Sequence, residues 1–296
     1  MITLIGNDSP IEFMNFPDGE SFVKFDYNNK PINILWRYEN DAEFMTLAQM
    51  YWIMNRVDRD ARMPKNLFIP YLPHARQDRE AASNQPFSLA ITMVFLHTHI
   101  EYTNTKVFLL DAHSLEFAKL EEDLRNNLGK SIIDTQSIDS SVYSPYLQNE
   151  GYDAIICPDK GARRRASLWY DAALGYGKRV DFIECTKVRD PNTGNLSEPK
   201  LSEVYEDRLR KANKALLVDD IGTGFGTHIQ LGKVLKKINP NLELDLFVTH
   251  SSFTRGKEPV LEIFNKVYTT DSLPQGLKQQ DDRIIRFDCT EFLPKV

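Results

Sequence analysis

Two adjacent carboxylates, Asp219 and Asp220, stand a few residues before Thr223-Gly224-Phe225-Gly226-Thr227. Glycines let a backbone come close to an anion and threonine hydroxyls add donors, so the later half of this stretch suits a phosphate. The carboxylates would repel that phosphate unless they face something else, such as sugar hydroxyls or a metal-bound group. A loop that takes a phosphate at one end and hydroxyls at the other suits a ribose 5-phosphate. Such a loop has to lie between a strand and a helix start, where free N–H groups and the positive end of the helix dipole favour an anion. The flanking residues supply both. Leu216-Leu217-Val218 is a short apolar run of the kind buried on both faces of a parallel sheet, and Ile229, Leu231, Val234, Leu235 and Ile238 recur at helical spacing. A Gly-rich turn with a solvated acidic pair satisfies the same residues.

Other polar clusters also follow apolar runs. Pro158-Asp159-Lys160-Gly161-Ala162-Arg163-Arg164-Arg165-Ala166 comes after Ala154 to Cys157. An acid, a glycine and then basic residues at a strand–helix junction suit a diphosphate with a metal, or a helix start with solvated arginines. After Val180 to Cys185, Lys187 and Arg189 are spaced to point the same way in extended chain, opening a polar stretch with Pro191 and Gly194 that reads as a loop or a surface hairpin. Arg76, Gln77, Asp78 and Arg79 follow the strand from Asn66 to Tyr71 and a prolyl turn. His113 stands just past the strand Lys106 to Leu110, near Asp111. Phe16-Pro17-Asp18-Gly19-Glu20 has the chemistry of a hairpin turn.

Strands and helices alternate along the chain, which predicts an α/β fold with mainly parallel sheets. The 296 residues, 42% hydrophobic and 26% charged, suffice for two domains of ordinary size. A boundary is expected near residue 145, giving halves 1–145 and 146–276, with a tail, 277–296, packing back on the first. Helix 41–59 is expected to take Asp41 as its cap and to bury an apolar stripe of Phe44, Leu47, Ala48, Tyr51 and Met54. The net charge of −6 argues against nucleic-acid or anionic-membrane partners. Cys157, Cys185 and Cys289 form neither a metal spacing nor a disulfide framework, which points to a reducing, cytoplasmic setting. The sequence shows no signal peptide and no apolar run of membrane-spanning length.

These clusters together resemble the ribose-phosphate diphosphokinase (PRPP synthetase) family, in one order along nearly the whole chain. Leu217-Val218-Asp219-Asp220 with its Gly/Thr loop is similar to the phosphoribosyl-binding signature shared with the phosphoribosyltransferases. Phe16-x-Asp18-Gly19-Glu20 resembles the family loop that holds the adenine of ATP across a subunit interface. Pro70-Tyr71-x-x-x-Ala75-Arg76-Gln77-Asp78 resembles its nucleotide-binding segment, which a phosphoribosyltransferase lacks. Asp111-Ala112-His113 falls where the family binds the Mg-nucleotide, and Asp159, Gly161, Arg165 and Ala166 fit its Pro-Asp-x-Gly-Gly-x-x-Arg-Ala pattern. Lys187-x-Arg189 fits the base of the loop that closes over the transferring phosphoryl groups. The chain departs from the family at Ala112, Ser114, Ala162 and Val188, and it has Thr223-Gly224 where Asp-Thr is usual.

The resemblance implies two phosphoribosyltransferase-like domains, each a mainly parallel sheet flanked by helices, the first holding ATP and the second ribose 5-phosphate. It implies transfer of the β,γ-diphosphoryl group of ATP to O1 of ribose 5-phosphate. Lys187, Arg189 and His113 would be catalytic. Phe16, Asp18, Glu20, Arg76, Gln77 and Asp78 would bind ATP. Asp219, Asp220, Thr223, Gly224, Phe225, Gly226 and Thr227 would bind ribose 5-phosphate. Mg²⁺ would be the cofactor, at His113 and Asp159. An adenine loop supplied in trans implies a homo-oligomer, a dimer or a hexamer of dimers. A phosphoribosyltransferase that consumes PRPP and a non-catalytic regulatory subunit of the same fold are the alternatives.

Overall fold

A computed structural model of the chain describes residues 1–5, 11–60, 62–80, 82–100, 103–128, 133–186 and 199–294. Two compact units emerge, one formed by 1–138 with 290–296 and the other by 139–289. The division falls at Ile138/Asp139 rather than near 145. The returning tail begins at Thr290 rather than 277, because residues 284–287 form a strand of the second unit.

The first unit holds a five-stranded sheet of β1 (Ile2–Ile5), β4 (Ile32–Trp36), β5 (Lys65–Ile69), β6 (Thr105–Leu110) and β7 (Asp134–Ile138), in that spatial order. β1 runs antiparallel to β4 and the remaining pairs are parallel. Every residue of β4 and β5 is buried, the pattern expected of parallel strands covered on both faces. Helices α1 (Ala42–Val57), α2 (Ser88–Ile100) and α3 (Glu116–Leu128) follow β4, β5 and β6. α1 buries Leu47, Met50, Tyr51 and Met54, one face of a 3.6-residue repeat. Asp41 is not its side-chain cap. Its Oδ1 instead accepts the Tyr38 hydroxyl at 2.6 Å and lies 3.2 Å from His74 Nε2. A separate antiparallel hairpin, β2 (Ile11–Asn15) with β3 (Ser21–Phe25), is held to α1 by Gln49, which accepts the Val23 N–H and donates to the Ser21 carbonyl.

The second unit opens with a 3₁₀ turn (Ser140–Tyr143) and the single-turn α4 (Ser144–Leu147). Its six-stranded sheet is parallel throughout. The spatial order is β13 (Ile284–Phe287), β12 (Val267–Thr270), β11 (Glu243–Ser251), β10 (Lys214–Gly222), β8 (Ala154–Cys157) and β9 (Asp181–Glu184). Helices α5 (Arg163–Gly175), α6 (Glu203–Lys211), α7 (Gly226–Ile238) and the one-turn α8 (Glu258–Leu261) connect the strands. Among the described residues no helix is long and apolar enough to cross a membrane. Cys157, Cys185 and Cys289 are buried and form no disulfide.

Candidate functional site: a sugar-phosphate loop and its neighbours

The two central strands of the second unit, β10 and β11, run four and three residues past their apolar stretches, and the candidate site begins where they end. β10 continues through Gly222, so Asp219 and Asp220 lie within the strand and not after it. The chain then turns and enters α7 at Gly226. Phe225 makes that turn in the left-handed conformation, φ +56°, which costs a side chain with a Cβ something like 1 kcal/mol or more. Its ring compensates by burial. It covers Gly222 so closely that a Cβ there would meet the ring at 2.2 Å, and it packs 4.8 Å from the Phe253 ring. Phe225 is 2% exposed, so what it can offer a phosphate is its backbone.

A second segment, after β11, laces onto this turn. Ser252 N–H donates to the Gly222 carbonyl at 3.0 Å and Thr254 N–H to the Thr223 carbonyl at 2.8 Å. The Arg255 side chain that follows lies over the glycines. A Cβ at Gly224 would meet its Cδ and Nε at 3.3 Å, and one at Gly226 would meet its Nη1 at 3.7 Å. An arginine therefore stands at the N-terminus of α7, a place where the helix dipole alone disfavours a cation and a shared anion reverses the sign.

The acidic pair is set among basic groups. His228, in the first turn of α7 and 5% exposed, brings Nε2 to 2.9 Å from Asp219 Oδ2. Asp219 Oδ1 accepts the Asp220 N–H at 3.0 Å. Arg165 Nη1 lies 3.9 Å from Asp219 Oδ1 and 3.8 Å from Asp220 Oδ1. Burial raises the Asp219 carboxyl above the usual carboxylate range and the Asp220 charge adds to this, while His228 and Arg165 oppose it. Of three consecutive arginines, only the third serves this pair. Arg163 reaches Glu184 at 3.0 Å and Arg164 reaches Asp139 at 2.8 Å, because successive helical residues point about 100° apart.

Asp159 caps the turn before α5. Its Oδ1 accepts the N–H groups of Gly161 at 3.0 Å and Ala162 at 3.2 Å. Ala162, where the family has a second glycine, sits at φ −81°, so its methyl group is compatible with the backbone. The neighbouring Cys157 thiol is pushed up to about 12, chiefly by burial, and is no nucleophile at neutral pH. Lys187 and Arg189 lie outside the described residues. The described residues that flank their segment, Thr186 and Lys200, are paired as an antiparallel bridge.

In the first unit, Arg76, Gln77 and Asp78 fall in the turn region after β5. Gln77 is fixed at both ends, its carbonyl accepting the Leu89 N–H at 3.2 Å and its Oε1 the Ser88 hydroxyl at 2.5 Å. His113 is half-buried between β6 and α3, two residues after Asp111, whose own φ is +48°. Phe16, Asp18 and Glu20 form the exposed tip of the β2–β3 hairpin, closed by Phe16 N–H to Glu20 carbonyl at 2.7 Å. Among the described residues, three or more metal-ligating side chains gather only at Asp271, Asp288 and Cys289. There Asp271 Oδ1 already accepts the Cys289 N–H at 2.8 Å, and neither His113 nor Asp159 takes part.

No protein-family profile matches the chain. Individual proteins do. It is 25% identical over 272 residues to the ribose-phosphate pyrophosphokinase of Pyrococcus abyssi, spanning 91% of this chain and 86% of that one. To the enzyme of the same name from Pyrococcus furiosus it is 23% identical over 267 residues, 89% of this chain and 86% of the other. Its fold superposes on the crystal structure of phosphoribosylpyrophosphate synthetase from Mycobacterium smegmatis with a TM-score of 0.73, over 96% of this chain and 88% of that one, at 17% identity. The chain is a relative of the ribose-phosphate pyrophosphokinases. Like the mycobacterial synthetase it is an α/β protein with parallel-rich sheets flanked by helices, as the phosphoribosyltransferase-like resemblance implies.

Two side chains at the loop were not anticipated from the sequence, His228 and Arg255. Neither carries a sequence signal. His228 closes a loop that begins nine residues earlier, and Arg255 reaches a glycine on another strand–helix connection. Arg165 matches a family position, but its placement beside the acidic pair needed the fold.

Proposed function

We propose that the chain is a ribose-phosphate diphosphokinase, which moves the β,γ-diphosphoryl group of ATP to the 1-hydroxyl of ribose 5-phosphate and releases PRPP and AMP. The observation that carries this reading is the β10–α7 connection. It joins an acidic pair, Asp220 buried and Asp219 half-buried, to a Gly/Thr turn at a helix start, in a chain similar to proteins named ribose-phosphate pyrophosphokinase.

In this reading the Asp219-Asp220 pair forms the sugar end of the loop, and Thr223, Gly224, the Phe225 backbone, Gly226 and Thr227 take the 5-phosphate. Arg76, Gln77 and Asp78 hold the nucleotide. Phe16, Asp18 and Glu20 hold the adenine of a neighbouring copy, which makes the enzyme a homo-oligomer. The ribose O1 attacks the β-phosphorus, and the bond from that phosphorus to the α–β bridging oxygen breaks as AMP leaves. The protein's part is positioning and charge neutralisation. Lys187 and Arg189 neutralise the transferring oxygens.

The donor set near the phosphate sites fits Mg²⁺ in a limited way. Mg²⁺ is held in such enzymes by one or two carboxylates together with substrate phosphates. Asp159 is a carboxylate at the head of a phosphate-type turn with one oxygen on the backbone, whereas the His113 imidazole is the softer donor of the two. Bound there, Mg²⁺ would screen the phosphate charge.

The test is to incubate the chain with Mg²⁺, ATP and ribose 5-phosphate and to follow AMP and PRPP. Equal formation of both is expected. No AMP, or consumption of supplied PRPP in the presence of a nucleobase, overturns the reading.

A further inference from the structure

Asp219 has both carboxylate oxygens engaged from within the loop: Oδ1 by the Asp220 N–H at 3.0 Å and Oδ2 by His228 Nε2 at 2.9 Å. The other ring nitrogen, His228 Nδ1, is buried with no hydrogen-bond partner. The imidazole is thus committed to Asp219, and a carboxylate can only accept, so Nε2–H donates. The bond runs from the C-terminal end of β10 to the first turn of α7, across the turn of residues 222–225. It therefore ties together the two ends of the loop.

We propose that His228 is a positioning residue of the sugar-phosphate loop: by holding Asp219 it braces the end of β10 against the start of α7, and it divides the acidic pair, Asp219 serving as the brace and Asp220 as the reader of the sugar hydroxyls. This rests on the loop's assignment to ribose 5-phosphate. A sugar phosphate has a fixed span between its 5-phosphate and its ring hydroxyls, so a loop that contacts both has to keep its two ends at one separation. Small errors in such placement weaken binding steeply. Nothing else described joins Asp219 to α7. Arg165 comes from α5 and stands at ion-pair distance only.

The experiment is calorimetric titration of the full chain and its variants with ribose 5-phosphate and, separately, with ADP. His228→Ala is expected to weaken ribose 5-phosphate about tenfold, the scale of losing one hydrogen bond to a charged group, with ADP unchanged. His228→Gln, whose Nε2 reaches as the imidazole Nε2 does, should stay within about threefold of the parent. Adding Asp219→Asn to His228→Ala should cost little more than the worse single change, since both remove one bond. Asp220→Asn should weaken ribose 5-phosphate in the His228→Ala background as much as in the parent.

The proposal is overturned if His228→Ala binds ribose 5-phosphate like the parent, if His228→Gln is as weak as His228→Ala, or if both ligands weaken together with a fall in Tm. It is also overturned if the parent chain does not bind ribose 5-phosphate. Binding without AMP formation would instead sink the proposed reaction and leave the brace standing.

Discussion

The Arg255 side chain lies along Gly224, with Cγ, Cδ and Nε all within 3.4 Å of where a Cβ on that glycine would stand. The contact brings a cation from the β11–α8 connection to a loop that has no basic residue of its own between Asp219 and Thr227. If a phosphate is shared between this guanidinium and the α7 start, Arg255→Ala should raise KM for ribose 5-phosphate roughly tenfold. KM for ATP and the Tm should hold, because Arg255 is exposed. Steady-state assays varying one substrate at a time check this, and Arg255→Lys should recover part of the loss, since a point charge lacks the fork.

Lys187 and Arg189 carry a different expectation. Their proposed contacts form with the transferring group, so each alanine variant should lose roughly 3–4 kcal/mol of transition-state stabilisation. ATP affinity should change little. Single-turnover rates alongside nucleotide titrations separate the two effects. A variant with full activity would remove that residue from the mechanism.

Lys65 is almost wholly buried at the start of β5. Its Nζ donates to Asp58 Oδ2 at 2.7 Å and to the carbonyls of Met63 at 3.0 Å and Thr103 at 2.9 Å. Burial pushes the Asp58 carboxyl upward, but the Lys65 ammonium and the Met63 and Arg62 N–H groups outweigh it and hold it below the usual range. Lys65→Met leaves that carboxylate buried without its partner and should cost about 3–5 kcal/mol in urea unfolding. Since the folded carboxyl is the stronger acid, the pair's contribution is present at neutral pH and is lost as pH falls through the folded value.

Glu121 on α3 shows the opposite sign. Burial raises its carboxyl to about 7, against the Thr135 hydroxyl that donates to it at 3.1 Å. The folded state keeps this proton after the unfolded chain has released it. Stability should therefore fall as pH rises from about 4.5 to about 7, by on the order of 1–3 kcal/mol. Glu121→Gln should flatten that slope and raise Tm at pH 8 while changing little at pH 4. Thermal unfolding of both proteins across this range checks it.

Much of the fold was legible because parallel strands covered on both faces need continuous apolar runs, and Ala154–Cys157 and Leu216–Val218 are such runs. The acidic pair and the glycine turn were legible because adjacent carboxylates and closely spaced glycines between a strand and a helix stand out from the apolar runs on either side. Where competition between side chains decides, the sequence was silent. Asp41 reads as a helix cap, yet Tyr38 and His74 take its carboxylate. Ile284–Phe287 reads as part of a tail, yet its short apolar run pairs with β12. Phe225 occupies the left-handed position beside three glycines because a buried ring, packed on Gly222 and Phe253, outweighs the backbone preference. His228 and Arg255 were out of reach for a further reason: their partners are set by which connections the sheet brings side by side.

The residues after Cys289 rejoin the unit that the chain began with. Leu293 buries itself with Leu35, Phe68 and Phe108, and the Pro294 carbonyl accepts the Asn66 side chain at 3.1 Å. The second unit is thereby an insert within the first, entered at Asp139 and left at Cys289. No single cut can yield both halves intact. A stop codon at Thr290, or a bulky fusion joined there, would uncover a greasy patch on Leu35, Phe68 and Phe108, far upstream in the chain, and a defect engineered at one terminus would be read out as instability of the other.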